Sequence, residues 1–87
     1  MPGICRDNDK AGGDLIPSQS TVYANDKLVI IDGDGVAGHG TSPHTPQTIN
    51  AGSNNVFVKN KPVCNAGDKA AVCGEAASGS EDVIVGD

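Results

Sequence analysis

The stretch Val56–Asp68, VFVKNKPVCNAGD, is a second writing of Val22–Asp34, VYANDKLVIIDGD. Each opens on an apolar triplet, Val56-Phe57-Val58 or Val22-Tyr23-Ala24, and crosses a polar pair, Asn60-Lys61 or Asn25-Asp26. Each then runs through lysine-led apolar residues to a closing Gly-Asp, and twelve positions separate the first Val from the last Asp in both. A further front half stands at Val83-Ile84-Val85 and a further back half at Ile4-Cys5-Arg6-Asp7-Asn8-Asp9. Small or polar pairs precede the triplets: Ser18-Gln19, Gly52-Ser53 and Gly79-Ser80. The unit is thus present three times.

Two short runs rich in β-branched and aromatic residues around a polar pair predict a β-hairpin with a tight turn. No helical period survives 12 Gly and 5 Pro in 87 residues. The connecting loops read as irregular turns, with Gly12, Gly13, Gly33 and Gly67 supplying backbone shapes that other residues avoid. A single hairpin is marginal in water, so the three are expected to pack around a common axis. The expected fold is all-β, one domain over residues 1–87, with approximate three-fold internal symmetry.

Composition narrows the function. The formal charge of -5, from 6 basic and 11 acidic residues, lacks the basic patch that phosphate backbones require, which excludes nucleic acid. The start MPGICRDNDK has no apolar signal-peptide core, and no apolar run approaches the ~18 residues of a membrane span. Synthesis in the cytoplasm without a leader is the expectation. One Tyr, one Phe and no Trp leave few large core-filling side chains, so reinforcement by a metal, a disulfide or a partner is expected of so small a chain. The three cysteines, Cys5, Cys64 and Cys73, are an odd set and give no closed disulfide framework. Free thiols or metal ligation suit a reducing compartment better.

From each closing Asp to the next Val, the connections measure thirteen, twenty-two and fifteen residues. Length varies on one side of the repeat only, where repeat proteins carry function. The longest connection holds both histidines, His39 and His44, in GHGTSPH. His39 lies five residues after Asp34, and Cys73 lies five after Asp68. If the repeats are equivalent, the two side chains project from equivalent places. Imidazole and thiolate are common zinc donors. Cys5 and Cys64 occupy the slot filled by Ile30 in the other unit, which suits small buried side chains. The carboxylates nearest these residues in sequence, Asp14 and Glu75, read as solvated surface groups. Asp32-Gly33-Asp34-Gly35 reads as turn chemistry, since a calcium cage needs six to eight oxygens.

Gly52–Asp68, GSNNVFVKNKPVCNAGD, resembles the pattern Gly-Ser-x-x-Val-aromatic-x-Asn-Gly-Lys-Pro-x-Ala-x-x-Gly-Asp of the PAAR-repeat proteins. These cap the spikes of contractile phage tails and of type VI secretion systems. Lys59-Asn60 and Asn25-Asp26 stand where the family has Asn-Gly, and Asp7-Asn8-Asp9 where it has Gly-Asp. The resemblance implies a small cone of three hairpin repeats with a broad base and a metal-bound tip. It implies a structural role rather than an enzymatic one: one copy seated on a trimeric β-helical spike at a phage baseplate or secretion-system tip, meeting the target cell membrane first. The base would be built from Val22, Tyr23, Ala24, Val56, Phe57, Val58, Val83, Ile84 and Val85.

The family's tip metal resembles a site of three histidines and one cysteine, the first histidine in a His-Gly-Gly. Here the matching triplet is Ala11-Gly12-Gly13. The resemblance therefore leaves His39, His44 and Cys73, with water or Cys5 as the fourth ligand. Zinc suits a mixed His and Cys set better than iron does. A three-ligand zinc with an open position is also what a small zinc-dependent hydrolase would carry, and that is the alternative function.

Overall fold

In the computed structural model, residues 3–42, 44–53, 56–80 and 83–84 are described. Nine short strands run through them: β1 (Lys10–Ala11), β2 (Gly13–Ile16), β3 (Tyr23–Ala24), β4 (Lys27–Leu28), β5 (Gly35–Val36), β6 (Gln47–Asn50), β7 (Phe57–Val58), β8 (Lys61–Pro62) and β9 (Lys69–Ala70). Among the described residues there is no helix.

The two complete repeats are hairpins with the same register, Tyr23 opposite Leu28 and Phe57 opposite Pro62. Their turns fall on Asn25-Asp26 and on Lys59-Asn60, one residue before the pair Asn60-Lys61. All four turn residues have positive φ, 54° and 64° in the first turn, 52° and 65° in the second. Two consecutive positive values match the right-handed twist of the flanking strands. The third unit is assembled from two distant parts of the chain. Gly3 bridges Ile84, and the Ile4 amide donates to the Val83 carbonyl at 2.9 Å, as Val29 does to Val22 and Val63 to Val56.

Lys59 is an unbranched L-residue held at positive φ, a conformation costing about 1 kcal/mol without a compensating contact. Replacing Lys59-Asn60 by Asn-Gly is expected to stabilise the protein by about 0.5 to 1 kcal/mol. Thermal unfolding checks this; a midpoint raised by several degrees is expected, and a lowered one would mean that the turn does not govern the hairpin.

Three-fold organisation appears in the backbone itself. Cys5 donates to the Cys64 carbonyl at 2.9 Å, Cys64 to Ile30 at 2.9 Å and Ile30 to Cys5 at 3.0 Å, a closed ring of three bonds. This ring explains why the hairpin strands are shorter than the apolar runs suggest. Each back half spends its amides and carbonyls on neighbouring repeats, through the bridges Arg6–Val29, Ile31–Val63 and Ile4–Asn65. The closing aspartates match as well: Asp9, Asp34 and Asp68 accept through Oδ2 from the amides of Arg6, Ile31 and Asn65, at 2.9, 2.8 and 2.8 Å. The residue before each has positive φ, Asn8 at 75°, Gly33 at 85° and Gly67 at 98°. These aspartates are turn-formers, as Asp32–Gly35 suggests from sequence.

The connections are more regular than their glycine content implies. Instead of irregular turns they form a five-stranded antiparallel sheet in the order β1-β2-β5-β6-β9. Beneath it lies a core cluster made of three triads, one member from each repeat: Cys5, Ile30 and Cys64; Ala11, Val36 and Ala70; Leu15, Ile49 and Ala77. The amides of Leu15, Ile49 and Ala77 donate to the carbonyls of Asp9, Asp34 and Asp68, which fixes the last triad. A second cluster, Ile4, Ala24, Val29, Ile31, Val58 and Val63, underlies the hairpins. The molecule measures 33 × 24 × 23 Å, with two near-equal short axes as a three-fold body requires.

Candidate metal centre

The equivalence of Asp34 and Asp68 decides where the next residues go. Five positions beyond each, His39 leaves the long β5–β6 connection and Cys73 leaves the connection after β9. Cys73 Sγ comes to 3.6 Å from His39 Nε2. The long loop closes on itself, the His39 amide donating to the His44 carbonyl at 2.8 Å and the His44 amide to the Thr41 carbonyl at 2.7 Å. This brings His44 Nδ1 to 3.1 Å from His39 Nε2, with ring centroids 4.9 Å apart.

His39 Nδ1 faces the Ala37 carbonyl at 3.1 Å. A carbonyl only accepts, so Nδ1 carries the proton and Nε2 keeps its lone pair toward the cluster. Orientation by a second partner of this kind is usual for metal-binding histidines. Glu75 closes the group, with Oε2 at 3.5 Å from His39 Nε2 and Oε1 at 3.5 Å from His44 Nδ1. One donor atom from each of His39, His44, Cys73 and Glu75 lies within 4.8 Å of the others.

The residues fit a metal ion. A tetrahedron with zinc–ligand bonds of 2.0 to 2.3 Å has edges of about 3.3 to 3.8 Å. The separations of 3.1, 3.5, 3.5 and 3.6 Å lie in or just below that range, the two to Glu75 through different carboxylate oxygens, and with one donor atom per residue all lie within 4.8 Å of one another. Two nitrogen donors, a thiol sulfur and a carboxylate oxygen are all accepted zinc ligands. The group can therefore hold a metal once its wider pairs draw inward by up to about 1 Å.

Gln47 positions the cysteine. Its side-chain oxygen accepts the amides of Val72 and Cys73, each at 2.8 Å, pinning the short loop against β6. Ala71 adds a backbone bond to Thr48 at 2.8 Å. The first connection contributes space instead of a donor. A Cβ on Gly12, whose φ is +86°, would lie 1.7 Å from Glu75 Oε2 and 2.6 Å from His39 Nε2. Only glycine leaves room there for the carboxylate.

Of the residues singled out by sequence, His39, His44 and Cys73 come together and Cys5 does not join them. Cys5 is fully buried in the axial triad, its sulfur 2.9 Å from that of Cys64. It fills the Ile30 slot. The fourth donor is Glu75, which the sequence presents as a surface carboxylate. Ala11, where the family pattern has its histidine, is wholly buried in the core. Only the position of Glu75, two residues beyond Cys73 in one short loop, could have drawn notice to it. Glu75→Ala is expected to weaken zinc affinity by more than about 100-fold, the upper end of what outer-shell changes cost. Competition against a chromophoric chelator measures this, and an unchanged affinity would remove Glu75 from the ligand set.

The apolar triplets divide by face. Tyr23, Phe57 and Ile84 are 57%, 54% and 47% exposed, and Val22 and Val56 are also exposed. Ala24 and Val58 turn inward into the core beneath the hairpins, and Val83 packs against its edge. Val85 lies outside the described residues.

A family model described as the PAAR motif matches residues 6–74. A search of curated proteins gives no match.

Proposed function

Because the chain belongs to the PAAR-motif family, whose members include spike-tip proteins, we propose that it caps a trimeric β-helical spike and sharpens it for piercing a cell envelope. One observation carries this reading: Tyr23, Phe57 and Ile84 hold equivalent hairpin positions in three repeats of a single chain, and all are exposed. A monomer with internal three-fold symmetry offers three like apolar surfaces to three identical spike chains. Strand addition at the hairpin edges would complete the contact. The assembled tip would sit at a phage baseplate or at the end of a secretion-system spike and touch the target membrane transiently.

Zinc is the proposed metal, held by His39, His44, Cys73 and Glu75. Its chemistry there would be cross-linking: the β5–β6 loop and the loop after β9 carry few apolar contacts of their own. The residues do the remaining work. Ala37 and Gln47 orient His39 and Cys73, and Gly12 admits the carboxylate. Four protein donors fill a tetrahedron, the arrangement of structural sites. Force on a point needs a stiff point.

The test is to mix the zinc-loaded protein with a trimeric β-helical spike fragment and weigh the complex by native mass spectrometry. One copy per trimer and one zinc per copy are expected; absence of a complex, or three copies per trimer, would overturn the capping role. Glu75 also keeps the hydrolase reading in view, because a carboxylate beside three zinc ligands can serve as a general base. Ester or peptide turnover by the metal-loaded protein that disappears in His44→Ala would decide for the enzyme.

A further inference from the structure

The axial triad holds two cysteines that the metal centre does not use. Cys5 and Cys64 are each 0% exposed, and their sulfurs stand 2.9 Å apart, with Cys64 donating to Cys5. Carbon atoms pack best at about 3.5 to 4.0 Å, and sulfur is larger. The pair is therefore closer than unbonded side chains settle, and roughly 1 Å from the ~2.05 Å of a sulfur–sulfur bond. The backbone is already braced at this point, since the Cys5 amide donates to the Cys64 carbonyl and Cys64 donates to Ile30 in the same ring. No change of register is needed to join them.

We propose that Cys5 and Cys64 form a disulfide across the three-fold axis when the chain folds in the presence of a small-molecule disulfide such as oxidised glutathione. One cysteine thiolate attacks a glutathione sulfur and displaces one glutathione thiolate. The second cysteine then attacks the mixed disulfide and displaces the other. Two thiol protons pass to the two departing thiolates; the cysteines are oxidised and the glutathione disulfide is reduced. A glutathione adduct has no room inside a fully buried triad, so closure belongs to folding, before the core seals. In the folded protein the hydrogen bond from Cys64 to Cys5, with burial second, raises the Cys64 thiol far above its usual range. Thiolate, the reactive form, is accordingly scarce once the core has formed.

The bond would do a particular job. The N-terminal back half has its hairpin partner at Val83 and Ile84, on the far side of the sequence, so no two-residue turn joins its halves as Asn25-Asp26 and Lys59-Asn60 join the others. A covalent tie from Cys5 to the second repeat closes a long loop, the case in which chain entropy gives most.

The full-length chain, reduced and unfolded, is refolded with zinc in excess oxidised glutathione, then alkylated, digested without reduction and mapped by mass. The expected product has lost two hydrogens, yields one peptide pair joining Cys5 to Cys64, and leaves Cys73 open to alkylation once zinc is removed. Its melting midpoint should fall on reduction by roughly 10 to 20 °C. Cys5 and Cys64 both alkylated, both carrying glutathione, or joined to Cys73 in the folded product would overturn the proposal. A Cys73→Ser chain refolded in the same way excludes exchange with the third thiol; failure of its two remaining cysteines to pair would count equally against it.

Discussion

Replacing His39 by alanine is expected to abolish stoichiometric zinc binding and to lower the melting midpoint by roughly 15 to 30 °C in zinc buffer. His39 is the hub of the cluster. Its Nε2 stands 3.1 Å from His44, 3.5 Å from Glu75 and 3.6 Å from Cys73, and its side chain is only 14% exposed. It approaches each of the other three donors, and His44 also approaches Glu75 directly. A ligand present at a thousand times its dissociation constant adds about 4 kcal/mol to the folded state, and one kcal/mol moves the midpoint of a domain this size by 4 to 8 °C. Structural zinc in peptides without a core contributes more, about 10 to 16 kcal/mol. Here two apolar clusters hold the fold independently, so the variant should remain folded at room temperature. Calorimetry with and without chelator checks this. The wild type should fall to the variant's midpoint when zinc is stripped, and the variant should not respond. Equal midpoints for both proteins in zinc would show that the cluster holds no stabilising metal. Hydrogen exchange gives the location, because the amides of His39 and His44 should lose protection before those of Cys5, Ile30 and Cys64.

What the sequence discloses depends on how far a residue's role is set by its own surroundings. The hairpins are legible because β-branched and aromatic residues flank a turn at constant spacing, which local physics decides. The shared axis follows from the repeat, and with it the meeting of His39 with Cys73. The connecting sheet is hidden: two-residue strands such as Gly35–Val36 and Lys69–Ala70 are too short for alternation to register. Ala11, Ala70 and Ala77 give a weak apolar signal, yet all three are core residues, sharing their triads with the larger Val36, Leu15 and Ile49. Glu75 is hidden for another reason. Its place beside the histidines depends on the missing side chain of Gly12, a residue in a different repeat, and no local pattern encodes that dependence.

The outward side of the apolar triplets yields the second large effect. Tyr23→Asp combined with Phe57→Asp is expected to abolish capture of the trimeric spike at micromolar concentration while leaving the melting midpoint within a few degrees of wild type. Both rings are more than half exposed, and substitutions at such positions usually change stability by less than about 0.5 kcal/mol. At an interface the balance reverses. Aromatic side chains are the usual anchors, and truncating one costs about 2 kcal/mol or more. An aspartate in their place adds the cost of drying a charge against an apolar partner. Each single variant should therefore weaken binding at least about 30-fold, and the effects should compound because the two positions meet different spike chains. Val72→Asp is the control. Val72 is 63% exposed and equally apolar, but it lies on the loop that carries Cys73, so its replacement should leave capture unchanged. If the Val72 variant loses the spike and the double hairpin variant keeps it, the docking face is at the metal end, and the orientation of the cap must be reversed.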